Sequence, residues 1–228
     1  MTEHPEDSDT TGQSYTGQVQ VNGDWQDQVD GPLLIRKFAV SDMANNVYVL
    51  ACRDSGSALL VDVADNTARI GEAIAGFSVI AAVQTHGHWD HVRAWDGVRD
   101  GLGIEVWGHD ADAALFPRRV DRELTDGEQI AVGNIEVTAL HVPGHTEGSM
   151  LYLVAGASRL HLIAGDTLFP GGPGKTKTSQ DHQAIMDGLE TTVFGRLPDD
   201  TWVYPGHGDD TTLGAERPHL AAWRARGW

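Results

Sequence analysis

Four times in this chain an apolar run stops at a tight turn, and each turn carries histidine or aspartate. Residues 77–83 feed Thr85-His86-Gly87-His88-Trp89-Asp90-His91, and residues 135–140 lead to His141-Val142-Pro143-Gly144-His145-Thr146. Residues 160–165 stop at Asp166, and residues 202–204 run into Pro205-Gly206-His207. The runs are rich in Val, Ile and Leu, and 135–140 alternates as a half-buried strand does. A turn at the end of a buried strand has a stiff base and still faces a cleft. Four such turns therefore demand a fold that brings several strand ends to one edge. Within the first turn, His86 and His88 can face one side and hold one cation. Asp90 and His91 can face the other and hold a second. Neutral imidazole and carboxylate suit zinc, and also iron or manganese. Clustered histidines also occur on ordinary surfaces, but four potential ligands within six positions make that the weaker reading.

The 228 residues fit one domain with a sizeable core. We expect an acidic, mobile arm over residues 1–17 and a single domain over 18–228. No Lys or Arg precedes Arg36, and the formal net charge is −17. Such acidity repels nucleic acid and anionic membranes, so neither is an expected partner. An anionic substrate is still allowed, because bound dications reverse the local field. Cys52 is the one cysteine, so no intrachain disulfide forms, and it reads as a small buried hydrophobe. No apolar run is long enough to span a bilayer, and the acidic start is unlike a signal peptide. The expectation is a cytoplasmic protein, monomer or homodimer, acting on a small molecule.

Between the informative turns the pattern predicts a strand-like stretch over 19–38 and a hairpin of 46–50 with 57–62 around Asp54-Ser55-Gly56. It predicts helices over 64–75 and 92–98, a short strand at 104–107, and a helical turn at 110–115 with His109 at its cap. A turn follows at 124–128, and a terminal helix opens near Gly214. Asp62, closing its strand, can be the N-cap of the next helix. His4, His109, His141, His161, His182 and His219 read as surface or supporting residues.

His86-x-His88-x-Asp90-His91 resembles the signature of the metallo-β-lactamase superfamily. Pro143-Gly144-His145-Thr146 is similar to a second motif of that family, and the likeness runs from Asn46 to Glu216. It implies an α/β fold, the αβ/βα sandwich of two mixed β-sheets flanked by helices. It implies His86, His88 and His145 for one metal, Asp90, His91 and His207 for the other, and Asp166 bridging them. For Asp62 it implies, instead of an N-cap, a carboxylate behind the metal loop, holding a ligand histidine by its far nitrogen. Taken alone, Asp166 would be a strand-end turn aspartate. Two divalent ions, zinc foremost, would share a water and lower its pKa from 15.7 towards roughly 7. The resulting hydroxide would attack an acyl carbonyl with no protein nucleophile, and Asp90 is the candidate catalytic residue that orients it or relays a proton.

Within the superfamily, true β-lactamases lack the bridging aspartate, and the RNA-processing branches carry basic surfaces and extra domains. The chain resembles glyoxalase II, the hydroxyacylglutathione thioesterase. Residues 169–176 look like that branch's Gly-x-Gly-Arg loop, with Lys175 in place of Arg. Lys175 is either a contact for an anionic substrate group or a solvent-exposed loop lysine. The chain ends soon after His207, whereas glyoxalase II continues into a helical extension that grips glutathione. Glutathione, a related carrier thiol such as mycothiol, and another thioester or lactone are therefore all open. Three rivals remain. A persulfide dioxygenase would use one iron on His86, His145 and Asp166, but that branch usually ends in Pro-Ala-His, not Pro205-Gly206-His207. A lactone hydrolase would want an apolar pocket, for which Trp89, Trp95, Trp107 and Phe169 are candidates, although aromatics near strand ends usually belong to the core. A non-catalytic binding module would use the acidic arm for docking.

Overall fold

Side-chain alternation along the strands decides the layers. In a strand, successive side chains face opposite ways, so a strand apolar on both faces must be covered on both. Asn45–Cys52 is such a strand, buried at all eight positions. Tyr48, Leu50 and Cys52 join one core cluster, while Val47, Val49 and Ala51 join another.

The computed structural model describes residues 15–227. The first sheet contains β1 (Gln26–Asp30), β2 (Leu33–Val40), β3 (Asn45–Cys52), β4 (Ser57–Val61), β5 (Ser78–Val83), β6 (Val106–Gly108) and β7 (Arg122–Glu123), in that spatial order. Helix α1 (Thr67–Ala73) carries the chain from β4 to the parallel β5. The second sheet contains β8 (Gln129–Val132), β9 (Ile135–His141), β10 (Met150–Ala155) and β11 (Leu160–Gly165). A small hairpin of β12 (Leu168–Phe169) and β13 (Gly172–Pro173) follows, then α2 (Ser179–Gly188). Strands β14 (Trp202–Pro205) and β15 (Thr211–Thr212) complete the sheet in the order β15-β14-β11-β10-β9-β8. Helices α3 (Leu213–Glu216) and α4 (Leu220–Arg226) end the described chain.

The sheets face each other over one core that takes Ile35, Leu50 and Val83 from the first and Val137, Tyr152 and Ile163 from the second. On the outer face of the first sheet, Ile70 of α1 and Trp95 pack against Val49 and Leu60. On that of the second, Ile185 and Met186 of α2 and Trp223 of α4 join Leu151 and Leu162. These are the layers of the αβ/βα sandwich. Among the described residues, no helix is long and apolar enough to cross a membrane.

Three local expectations need correction. The helix expected over 92–98 starts late: after a 3₁₀ turn at Trp89–His91, residues 92–94 form a turn, and helix runs from Trp95 and Asp96 into a π-type turn at Gly97–Gly101. The amides of Arg93 and Ala94 donate instead to the carbonyls of Ala64 and Val63, 3.1 and 2.9 Å away. Tertiary bonds to the preceding loop displace the helical ladder. Strand β8 and helix α2 are additional elements. The capping box of α2, Thr178 with Asp181, is a signal that sits in the sequence. Of the expected arm, residues 1–14 lie outside the described part, whereas Tyr15–Gln18 lie against the domain. The Tyr15 hydroxyl donates to Asp210 at 2.6 Å, and its ring meets Trp202 edge-on.

Candidate metal centre

All four turns open at the same edge of the sandwich. His86, His88, Asp90 and His91 follow β5, His145 follows β9, Asp166 follows β11 and His207 follows β14. Backbone bonds stitch that edge across the sheets. Asn46 N donates to Gly206 O at 2.8 Å, Gly206 N to Gly165 O at 2.8 Å, and Met150 N to Thr85 O at 2.7 Å. Tyr48 and Tyr152, from the core between the sheets, donate their hydroxyls to the carbonyls of Pro205 and Gln84, each at 2.6 Å.

The structure brings all seven side chains together. Their potential ligand atoms form three overlapping clusters: His86, His88 and His145; His86, His91 and Asp166; and Asp90, His91 and His207. Asp166 lies between the two outer groups. One oxygen is 3.4 Å from His91 Nε2, and the other is 3.6 Å from both His145 Nε2 and His207 Nε2. Asp90 Oδ2 is 3.5 Å from His207 Nε2 and 3.7 Å from His91 Nε2.

These residues fit a metal. Nε2 of His86, Nε2 of His145 and Oδ1 of Asp166 are buried with no hydrogen-bond partner. Each such group costs about 1–3 kcal/mol unless something satisfies it, and all three face the same small space. Burial and neighbouring imidazoles hold the pKa of His86 well below the usual range. Burial does the same for His88 and His145, so these rings are neutral, as a ligand must be. At His91 burial opposes charge, but Asp62 and Asp166 outweigh it and push the pKa up to about 10. Burial acts to raise Asp166, yet the closeness of His91, and then of His145 and His207, holds it below the usual carboxylate range. A proton on His91 thus balances charge that a cation would balance in its place.

The far nitrogens are fixed by surrounding groups, which sets tautomer and aim. His91 Nδ1 meets Asp62 Oδ2 at 2.8 Å, His145 Nδ1 meets Lys175 O at 2.8 Å, and His207 Nδ1 meets Met43 O at 3.0 Å. Asp62 also accepts from Thr85 N and Thr85 Oγ1, at 2.7 and 2.8 Å. Its backbone is left-handed, φ 65°, which turns the carboxylate under the metal loop; the N-cap of α1 is Asn66. Lys175 touches the centre through its carbonyl, and its side chain is exposed. The lysine lining the cleft beside His145 is Lys177, with Thr146, Glu147, Gln180 and Asp181, around about 290 Å³. Of the four aromatics considered for an apolar pocket, Trp95 and Trp107 are core, Trp89 is exposed, and Phe169 stacks on His207.

Three supporting residues escaped the sequence reading. Asp112, fully buried, accepts from Gly87 N and Gly148 N at 2.8 Å each and from Thr146 Oγ1 at 2.7 Å. It thereby fastens the His86–His88 turn to the His145 turn. Asn45 donates to Asp90 Oδ2 at 2.9 Å. Lys37, fully buried, donates to Gly17 O, Gly208 O and Asp210 Oδ1 at 2.6, 2.8 and 2.6 Å, holding the loop after His207. Nothing local marks Asp112 or Asn45. Lys37 was findable, because it falls on the same strand face as Leu33 and Ile35.

Known proteins give the same picture. An uncharacterised protein of Aquifex aeolicus (strain VF5) is 32% identical, covering 81% of this chain and 94% of that protein. The hydroxyacylglutathione hydrolase of Rhodospirillum rubrum is 31% identical over 72% of this chain, but over only 62% of its own length. Among solved structures, the B3 metallo-β-lactamase BLEG-1 superposes with a TM-score of 0.72 at 25% identity, covering 83% of this chain and 99% of that one. The protein TTHA1623, in a di-iron-bound form, gives 0.66 at 26% identity, covering 78% and 95%. The profile of the metallo-β-lactamase superfamily matches residues 40–207, and the chain belongs to that superfamily.

Proposed function

We propose that this protein is a dinuclear metal-dependent hydrolase of an acyl thioester of a low-molecular-weight thiol. His86, His88 and His145 would hold one divalent ion and Asp90, His91 and His207 the other, with Asp166 shared; zinc is the first candidate. The observation that carries the reading is the position of Asp166, whose two oxygens face both ligand groups at 3.4–3.6 Å. The hydrolase name of the Rhodospirillum rubrum relative and the di-iron form of TTHA1623 support it.

Bound there, the ions would supply Lewis acidity to water and to the acyl carbonyl. The protein's part is to aim and to exclude. Asp90, held by Asn45, presents Oδ2 towards the shared space, where it can orient a water and take its proton. Asp62, Lys175 O and Met43 O keep three imidazoles directed inward. Lys177 offers a cation to a polar leaving group in the cleft beside His145. Across the reaction the C–S bond breaks and a C–O bond forms. One proton of water goes to the thiol and one is released with the carboxylate.

A specific contact sets this chain apart from the Pro-Ala-His pattern of the single-iron dioxygenase. A Cβ on residue 206 would lie 2.1 Å from Asp166 Oδ1, so Pro-Ala-His in this backbone would push the shared carboxylate aside. The test is metal content by mass spectrometry, followed by a panel of thioesters and lactones on the same sample, with oxygen consumption recorded. Two ions, free thiol and no oxygen uptake are expected. One iron with oxygen uptake, or an undiminished rate in chelated protein, would overturn the proposal.

A further inference from the structure

Large apolar side chains stand beside the residues of this centre. Among the described residues, seven such side chains are exposed, and three of them stand at the centre: Trp89 at 61%, Met43 at 49% and Leu115 at 41%. Trp89 sits between the ligand positions His88 and Asp90. Met43 supplies the carbonyl that holds His207. Leu115 lies so near Gly87 that a Cβ there would be 2.6 Å from its own Cβ. Phe169, half-buried, stacks on His207 with ring centroids 6.5 Å apart. Scattered apolar side chains on a surface need no account, whereas apolar groups set next to several ligand residues of one centre point to what binds there.

Trp89 is also held still. The Arg93 guanidinium lies 4.2 Å from its ring centroid, and Asp42 and Asp65 anchor that arginine at 2.9 and 3.1 Å. A fixed aromatic surface costs little ordering when something lies on it. The cleft beside His145 is mixed: Glu147, Lys177, Gln180 and Asp181 bring charged and amide groups to it, alongside Pro143 and Ala184. Partners for a polar leaving group therefore stand on that side of the centre.

We propose that the acyl group cleaved here is a medium-length alkyl chain lying over Trp89, Met43, Leu115 and Phe169, with the polar leaving group in the cleft beside His145. The inference rests on the hydrolytic reading, because an acyl carbon placed among the ligands must send its chain across this rim. A second protein copy is the poorer occupant. Four apolar side chains offer far less than the roughly 800 Å² per partner of a stable interface.

The experiment is a series of acetyl, butyryl and octanoyl thioesters of N-acetylcysteamine. A fully buried methylene is worth about fourfold and one on an open rim about twofold, so kcat/KM should rise roughly tenfold or more from butyryl to octanoyl. Trp89→Ser should cut that ratio to about threefold or less. Ile80→Ser, an exposed apolar position on β5 outside the centre, should leave the ratio unchanged. Metal content is measured for each variant. A second readout needs no turnover: octanoate and acetate are titrated against the indole N–H resonance of Trp89, assigned by its loss in Trp89→Phe. Octanoate should shift it at concentrations at least about tenfold below acetate. Turnover with a flat chain-length profile sinks this inference and leaves the hydrolytic reading standing. No turnover of any acyl compound sinks the hydrolytic reading and this inference with it, and octanoate selected at Trp89 would then show only that the rim binds alkyl chains. Equal shifts by both acids, or self-association abolished by Trp89→Ser, would also overturn the alkyl-chain proposal.

Discussion

Glycine at 206 is the smallest residue with the largest say in the centre. Its backbone lies outside the left-handed region, so alanine fits the main chain there, and only the collision with Asp166 Oδ1 and His91 Cε1, at 2.1 and 3.0 Å, opposes it. Gly206→Ala should weaken one of the two ions by about 10–100-fold, the usual consequence of misplacing a ligand's support. Titration with a competing chelator reads this directly, and wild-type affinity for both ions would contradict it. At this scale the seven side chains that cluster were legible because they stand on turns at strand ends, and such turns leave local marks: Pro-Gly before His145 and His207, and alternation through His86–His91. The supporting groups were illegible for the opposite reason. Asp112 acts on Gly87 and Thr146, 25 and 34 positions away, and Lys37 acts on Asp210, 173 away. Such roles exist only once the chain has folded.

Two buried charges join elements that share nothing else. Asp112, on a short 3₁₀ turn, clamps two ligand loops through three hydrogen bonds. Asp112→Ala strands two buried amides and a hydroxyl. It should lower the unfolding free energy by about 2–4 kcal/mol in urea melts with chelator present. Lys37 and Asp210 form a fully buried pair at 2.6 Å. Lys37→Met leaves the carboxylate uncompensated and should cost about 3–5 kcal/mol. Tyr15→Phe removes one bond to the same carboxylate and should cost about 1 kcal/mol; a larger loss from Tyr15→Phe than from Lys37→Met would refute this account. The elements most legible in the sequence were strands with strict alternation, such as β9, or apolar on both faces, such as β3. The helix after the metal loop starts later than its apolar periodicity suggests, because the amides of Arg93 and Ala94 are spent on Ala64 and Val63.

Across the whole molecule, a line of buried polar groups runs between the sheets. His161 Nε2 meets Asp30 Oδ2 at 3.1 Å, and its Nδ1 meets the Tyr204 hydroxyl at 2.9 Å. Burial holds the His161 pKa below its usual 6.5, although Asp30 pulls the other way. In the window below 6.5 the unfolded chain then binds the proton that the folded chain refuses, so stability falls as pH falls. Urea melts between pH 7.5 and 5.5 should show this slope, with a smaller slope in His161→Gln. An equal slope in the two proteins would place the titrating group elsewhere. The layered architecture was legible because it follows from which strands need cover on both faces. How the two sheets come into register at the ligand edge was not, since it rests on contacts such as Asn46 with Gly206.

That edge draws His86, His88, Asp90 and His91 from the first sheet and His145, Asp166 and His207 from the second. Neither sheet by itself owns a complete set for either cation, so each ion would act as a rivet through both plates of the sandwich. Loading at a hundred times the dissociation constant would then add about 2.7 kcal/mol against any unfolding that separates the sheets. Metal supply in the cell would in this way govern how long the folded chain survives as well as what it can do.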